Sequence, residues 1–253
     1  MILTVRDMKE GLINMAYKVI ESEDNKTYKD LLKLKKGDLK EGLFLIEGED
    51  LVDEAMKEDR LEALILPLDK KAPWTDYQIY GLKENLYRSL SSYQSLPVCM
   101  GICRMKMNSE VGRRVIYLDS VQDPGNCGTI IRTALSFGYS GVVLSPDCVS
   151  IYNGKVIQST KGAIFHLPIC KADLKEYAKK GYNIYVTCLD GKDERSFSSL
   201  KEPFVLVFGN EGHGVRKEYQ ELGTKLRIEM SGIDSLNVAV ASGIFMYRFA
   251  NRG

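Results

Sequence analysis

The apolar positions of this chain follow two rhythms that meet near residue 110. In the first stretch the apolar segments are short and mixed in type. Residues 27–36 (TYKDLLKLKK) predict a charged helix with a leucine stripe at Leu31 and Leu34, Leu32 lying beside it. Residues 49–58 predict a second helix, with Leu51, Val52, Ala55 and Met56 at helical spacing. Residues 42–48 (GLFLIEG), 61–66 and 98–105 (VCMGICRM) predict short strands, the second stopped by Pro67. Residues 70–80, rich in Pro, Trp and Tyr, predict an irregular connection. The polar, glycine-bounded stretch 107–112 (MNSEVG) marks a junction, which divides the chain into domains at 1–109 and 110–253.

Beyond the junction the apolar runs become nearly continuous. Residues 114–118 (RVIYL), 141–144 (GVVL), 183–188 (NIYVTC) and 204–208 (FVLVF) suit parallel strands covered on both faces. Helical patterns over 127–137, 173–180, 215–222 and 237–251 alternate with them. The fold class is therefore α/β: a mostly parallel sheet preceded by a smaller α/β domain.

Composition narrows the setting. The hydrophobic share of 44% in 253 residues supplies a proper core. No run reaches the roughly 18 apolar residues of a membrane-spanning helix, so no membrane partner is expected. The opening MILTVRDMKEGL lacks the long apolar region of a secretory signal. Six dispersed cysteines with no Cys-x-x-Cys pair point to free thiols in a reducing cytoplasm, and to neither disulfides nor a metal site. The formal net charge is +1, and neither half is strongly basic. Charge alone does not propose a nucleic-acid partner.

Three stretches of the second domain exceed what packing needs. In the first, DSVQDPGNCGTIIRTA from Asp119 to Ala134, a strand end and a Pro-Gly turn lead into a helix, with Asn126 as candidate N-cap and Arg132 about two turns in. The plain alternative is a cap and a surface arginine. In the second, FGNEGHGV from Phe208 to Val215, closely spaced glycines permit a sharp turn and close backbone approach to a ligand at a strand end. Its glycine order is that of neither a dinucleotide site nor a P-loop. The third, IEMSGIDSLNVAVASGI from Ile228 to Ile244, runs from a strand through a polar turn into a helix apolar on most sides, which predicts a buried helix. Asp234 or Ser235 is its candidate N-cap.

Together these stretches resemble the SpoU (TrmH-type) RNA 2′-O-methyltransferases of the SPOUT superfamily, over roughly residues 113–253. The first domain resembles, more loosely, the ribosomal-protein-like substrate-binding domain of many members, through LKLKKGDLKEGLFLIEGEDLVDEA and LSSYQSLPVCMGI. The resemblance implies a C-terminal trefoil knot, a feature very rare among folds. It also implies a homodimer formed through the knotted domain, with each active site completed across the interface. S-adenosylmethionine would be held by Gly209, Asn210, Ile228, Met230, Leu236 and Asn237, with Leu189 on the adenine side. Asn126, Arg132, Glu211, Ser235 and Asn237 would form the catalytic wall. Arg132 either assists removal of the ribose proton or, since a guanidinium hardly ever deprotonates, orients RNA phosphate and stabilises developing alkoxide.

The partner implied is structured RNA, ribosomal ahead of transfer RNA. Family members often carry Pro where this chain has Glu229. His213 reads as a solvent-facing loop residue and His166 as structural. Lys155 and Lys161 fit either phosphate contacts or a solvated helix face. A non-catalytic RNA-binding member of the same fold and an ordinary nucleotide-binding enzyme are the competing readings.

Overall fold

The computed structural model describes residues 17–38, 42–70, 76–106, 110–232 and 235–250. The chain separates into two compact units, Met1–Lys106 and Met107–Gly253.

Among its described residues, the N-terminal unit builds a five-stranded sheet in the order β1-β4-β3-β5-β2. These strands are β1 (Tyr17–Ile20), β2 (Leu43–Glu47), β3 (Leu61–Pro67), β4 (Gln78–Leu82) and β5 (Met100–Arg104). Strands β1, β4 and β3 run parallel, whereas β5 lies antiparallel between β3 and β2. Helices α1 (Lys26–Lys35), α2 (Glu49–Lys57) and α3 (Glu84–Leu90) complete it. Asn25 starts α1 by accepting from the backbone N–H groups of Thr27 and Tyr28. Tyr28, Leu31, Ile65, Leu86, Tyr87 and Met100 lie in one core.

Residues 70–80 are not wholly an irregular connection. Residues 71–75 lie outside the described set, but Gln78–Leu82 forms β4, hydrogen-bonded between β1 and β3. A five-residue strand containing Gln and Gly gives too weak a pattern to be read alone. Sheet pairing supplies the missing order.

The C-terminal unit is more regular. Its described residues form a six-stranded sheet in the order β11-β9-β10-β6-β7-β8, with every pairing parallel. The strands are β6 (Arg114–Leu118), β7 (Gly141–Leu144), β8 (Ile169–Lys171), β9 (Asn183–Asp193), β10 (Phe204–Phe208) and β11 (Thr224–Arg227). The helices are α4 (Pro124–Ser136), α5 (Gly154–Thr160), α6 (Ala163–His166), α7 (Leu174–Lys179), α8 (Lys217–Gln220) and α9 (Val238–Arg248). Residues 215–222 yield only the single turn α8. His166 is exposed at the end of α6.

Central strands β6 and β10 are buried along their whole length, as their nearly continuous apolar runs require. Helix α9 departs from expectation: it is not buried all round. Ser242, Phe245 and Met246 face inward, while Val240, Ile244 and Tyr247 are exposed at 53%, 39% and 56%. No helix of the described residues is long and apolar enough to cross a membrane. All six cysteines are free, and all but the half-buried Cys188 are buried.

Candidate active site

The site is built where the parallel strands end. After β6 the chain turns through Asp123, whose carboxylate accepts from the backbone N–H of Asn126 at 2.7 Å. Asp123, not Asn126, is therefore the N-cap of α4, with Pro124 at the first helical position, where its missing N–H costs nothing. This leaves the Asn126 side chain free to reach sideways. Its Nδ2 donates to Glu211 Oε1 at 3.0 Å, and its Oδ1 accepts from Asn237 Nδ2 at 3.1 Å.

Asn237 is the N-cap of α9, accepting from Ala239 and Val240 N–H at 2.9 and 3.3 Å. That corrects the expectation of Asp234 or Ser235. Ser235 is exposed, and Asp234 lies outside the described residues. Asn237 thus uses its oxygen for the helix and its amide for Asn126. One line of hydrogen bonds, Glu211–Asn126–Asn237, ties together three segments far apart in sequence.

The glycine-rich loop follows β10 directly. A Cβ on Gly209 would stand 2.1 Å from the Gly214 carbonyl carbon and 2.2 Å from the Val215 nitrogen, so only glycine lets the loop fold back on itself. Asn210 and Gly214 close it with two backbone hydrogen bonds of 3.1 and 2.9 Å, and Gly214 takes a left-handed φ of 69°. Asn210 Oδ1 accepts from the N–H groups of Gly212 and His213, while its Nδ2 donates to the Ser120 carbonyl at 2.8 Å. His213 is exposed, with Nδ1 3.4 Å from Asn210 Oδ1.

Beside this loop lies a cavity of about 590 Å³, within the range of small-molecule sites. Of the residues singled out in the sequence, Leu189, Gly209, Asn210, Glu211, Ile228, Met230, Ser235, Leu236 and Asn237 line it. Asn126 stands at its edge through the bonds to Glu211 and Asn237. Arg132 does not line it. Six residues beyond Asn126, it sits about 9 Å along α4 and about 120° around the axis. There it is exposed, and its guanidinium meets no partner among the described residues.

Leu189 is 65% exposed at the cavity wall. Periodicity did not single out Thr187, Cys188, Val238, Ala241 or Phe245, which also line the cavity. Burial pushes the Cys188 thiol up to about 11, so it is a wall residue and not a nucleophile at neutral pH. Glu229 ion-pairs with Arg227 at 2.7 Å and is exposed, so the departure at this position leaves the lining residues Ile228 and Met230 in place.

The model of the SpoU rRNA Methylase family matches residues 113–247. The chain belongs to this family. A 23S rRNA (guanosine(2553)-2′-O)-methyltransferase of Bacillus subtilis strain 168, RlmP, is 36% identical over 243 residues, spanning 91% of this chain and 98% of that protein. The solved structure of an AdoMet-bound rRNA methyltransferase from Sinorhizobium meliloti aligns with a TM-score of 0.81 at 27% identity, covering 92% of this chain and 97% of the other. The SpoU methyltransferase AviRb from Streptomyces viridochromogenes aligns at 0.80 with 20% identity over 88% and 96% of the two chains, a likeness of fold. The family match spans the loops that form the cavity, while the similarity to RlmP and to the Sinorhizobium structure runs through the N-terminal unit as well.

Proposed function

We propose that this protein transfers a methyl group from S-adenosylmethionine to a ribose 2′-hydroxyl of ribosomal RNA. The observation that carries the reading is the Glu211–Asn126–Asn237 line at the edge of the cavity. Three SpoU-type segments meet there around a space of ligand size. The lining suits the cofactor: Leu189, Ile228, Met230 and Leu236 offer apolar walls, and the turn at Gly209 offers backbone polar groups. The AdoMet-bound Sinorhizobium relative adds weight to that choice, as RlmP does to ribosomal RNA.

When bound, the cofactor supplies an electrophilic methyl on a positively charged sulfur. In-line attack by the ribose O2′ would form the O2′–C bond as the S–C bond breaks, with S-adenosylhomocysteine as the leaving group and the hydroxyl proton passing to solvent. The chain's task is alignment and charge. Glu211 and Asn126 hold one another at the edge of the site, and Asn237 fixes the start of α9 there. Arg132 would orient the phosphate and offset charge developing on oxygen.

Arg132 lies outside its own cavity, and this favours a homodimer in which each protomer lends Arg132 to its partner's site. The exposed face bearing Val240, Ile244 and Tyr247 supports that arrangement, since apolar residues at i, i+4 and i+7 form a stripe suited to burial. Helix α9 packs on α4, where Tyr247 meets Phe137 at 5.8 Å and Leu135 is exposed three residues from Arg132. The trefoil knot and a cytoplasmic setting, compatible with six free thiols, belong to the same reading.

The N-terminal unit would bind the RNA. Its buried Glu47 accepts from Ser91 Oγ at 2.7 Å and Ser92 N–H at 3.0 Å, anchoring a loop that exposes Tyr93 and Val98, side chains able to meet unstacked bases.

The test is to incubate the protein with labelled S-adenosylmethionine and ribosomal RNA from cells lacking it, then map ribose methylation. One new 2′-O-methyl position is expected. Tight RNA binding with no methyl incorporated would favour a binding module, and stabilisation by NAD or ATP alone would overturn the cofactor.

A further inference from the structure

Beneath the glycine-rich loop lies a second polar network that the reaction does not call on directly. Asp119 follows β6 and is fully buried, an expensive place for a carboxylate unless it is paired. It accepts from the backbone N–H of Arg216 at 2.8 Å and from Arg216 Nε at 2.7 Å, with Nη2 closing a second guanidinium contact at 2.5 Å. The same Nη2 reaches Asp147 Oδ1 at 3.2 Å, and the guanidinium lies over the Tyr219 ring at 4.7 Å. Arg216 is the residue that follows the loop's closing Gly214 and Val215.

The second carboxylate ties in the remaining strand ends. Asp147 accepts from Ser120 Oγ and Ser145 Oγ, each at 2.7 Å, and Ser145 Oγ accepts from the Ser120 N–H at 2.9 Å. Ser120 holds a left-handed φ of 56°, costly for a side-chain-bearing residue and sustained by these bonds. Its carbonyl receives the Asn210 amide of the glycine-rich loop at 2.8 Å. The ends of β6, β7 and β10 are therefore clamped through one arginine.

We propose that Arg216 is the positioning residue of this site: by gripping Asp119 and Asp147 it holds the glycine-rich loop in the shape that keeps Glu211 on Asn126 and leaves the cavity open. A guanidinium suits this because its planar fork bonds one carboxylate twice while a remaining N–H turns to another. A lysine carries the charge without the fork. This inference rests on the methyltransferase reading.

The experiment compares wild type, Arg216→Lys and Arg216→Ala by S-adenosylhomocysteine calorimetry, RNA affinity, and turnover at saturating cofactor, with and without millimolar ethylguanidinium. Displacement of catalytic groups by about 1 Å can lower turnover roughly a hundredfold, and a loss of that order is expected for Arg216→Ala. Its cofactor affinity should weaken while RNA affinity stays unchanged, and ethylguanidinium should restore part of both losses. Arg216→Lys should fold and fall between the two. Where Arg216→Ala does not fold, Arg216→Lys decides: an unchanged cofactor affinity and turnover overturn the proposal.

Wild-type values in a folded Arg216→Ala, or a loss shared by RNA affinity and unrelieved by ethylguanidinium, overturn it equally. If wild type itself fails to bind S-adenosylhomocysteine, the functional reading fails before Arg216 is in question.

Discussion

The N-terminal unit alternates strand direction around β5, so its connections are shared between both rims of its sheet, whereas the C-terminal unit runs all its described strands in parallel. In the first, the buried carboxylate of Glu47 is consumed by holding one loop. In the second, the chain leaves β6, β7, β9 and β10 at the same rim. Polar residues from distant segments meet there, some locking the base (Asp119, Arg216, Asp147) and some lining the edge (Asn126, Glu211, Asn237). A parallel sheet collects its loops on one side, and that is why a composite cavity forms in this unit.

The largest expected effect breaks the cavity outright. Gly209→Val should abolish S-adenosylhomocysteine binding by calorimetry, since a side chain at that position meets the loop's own backbone at 2.1 Å. RNA binding, assigned to the other unit, should persist. Retained cofactor affinity would place the pocket elsewhere.

Arg132→Ala comes next. Loss of a group that stabilises developing charge costs roughly 10² to 10³ in turnover, with cofactor affinity unaltered because Arg132 is not part of the cavity wall. An equal loss of affinity and turnover would show that the arginine belongs to the pocket of its own chain.

The exposed face of α9 offers a third test. Ile244→Glu places a charge in the apolar stripe and should convert a dimer to a monomer in sedimentation, with activity falling in parallel. A variant as dimeric and active as wild type would remove α9 from the interface.

Two smaller effects probe the units separately. Glu47→Ala strands the Ser91 hydroxyl and the Ser92 N–H, and should cost about 1–3 kcal/mol in the unfolding of the N-terminal unit. Cofactor affinity should not move; if it did, the two units would not act separately.

Asp147 probes the other unit. Donation from the Ser120 and Ser145 hydroxyls holds its carboxyl down, to about 2 from an ordinary 3.8. A depressed folded value means that the ionised form adds stability above the ordinary value, and that the contribution disappears as pH falls from 3.8 towards 2. Asp147→Asn should therefore flatten the fall in melting temperature across that window. The difference should be small because the side chain is half exposed. An unchanged slope would mean that the hydroxyls do not hold the charge.

Legibility from sequence follows the strength of the local signal. FVLVF and RVIYL could only be interior strands, and both are. YKVI and QIYGL carried no clear alternation, and only sheet pairing makes them strands: β4 lies between β1 and β3, and β1 pairs with β4. Capping shows the same limit. Asp123 and Asn126 are both good caps, and Pro124 was the clue that Asp123 takes the role. Arg216 gave no signal at all: an arginine after a glycine-rich loop looks like any surface cation until Asp119 is found buried beneath it.

The sequence by itself determined the α/β class and picked out the three strand-end segments whose residue types suit a ligand; the boundary between the two compact units falls at Lys106/Met107, three residues before the expected junction. Backbone propensity and side-chain chemistry act over a few residues, and those features need no more. Only the tertiary structure decided that Asn126 bonds Glu211 and Asn237, that Arg132 is not among the residues lining its own cavity, and that α9 leaves an apolar face outside. Each of these depends on which segments the sheet order brings side by side, a long-range choice made by the burial of the whole core and recorded in no single stretch of chain.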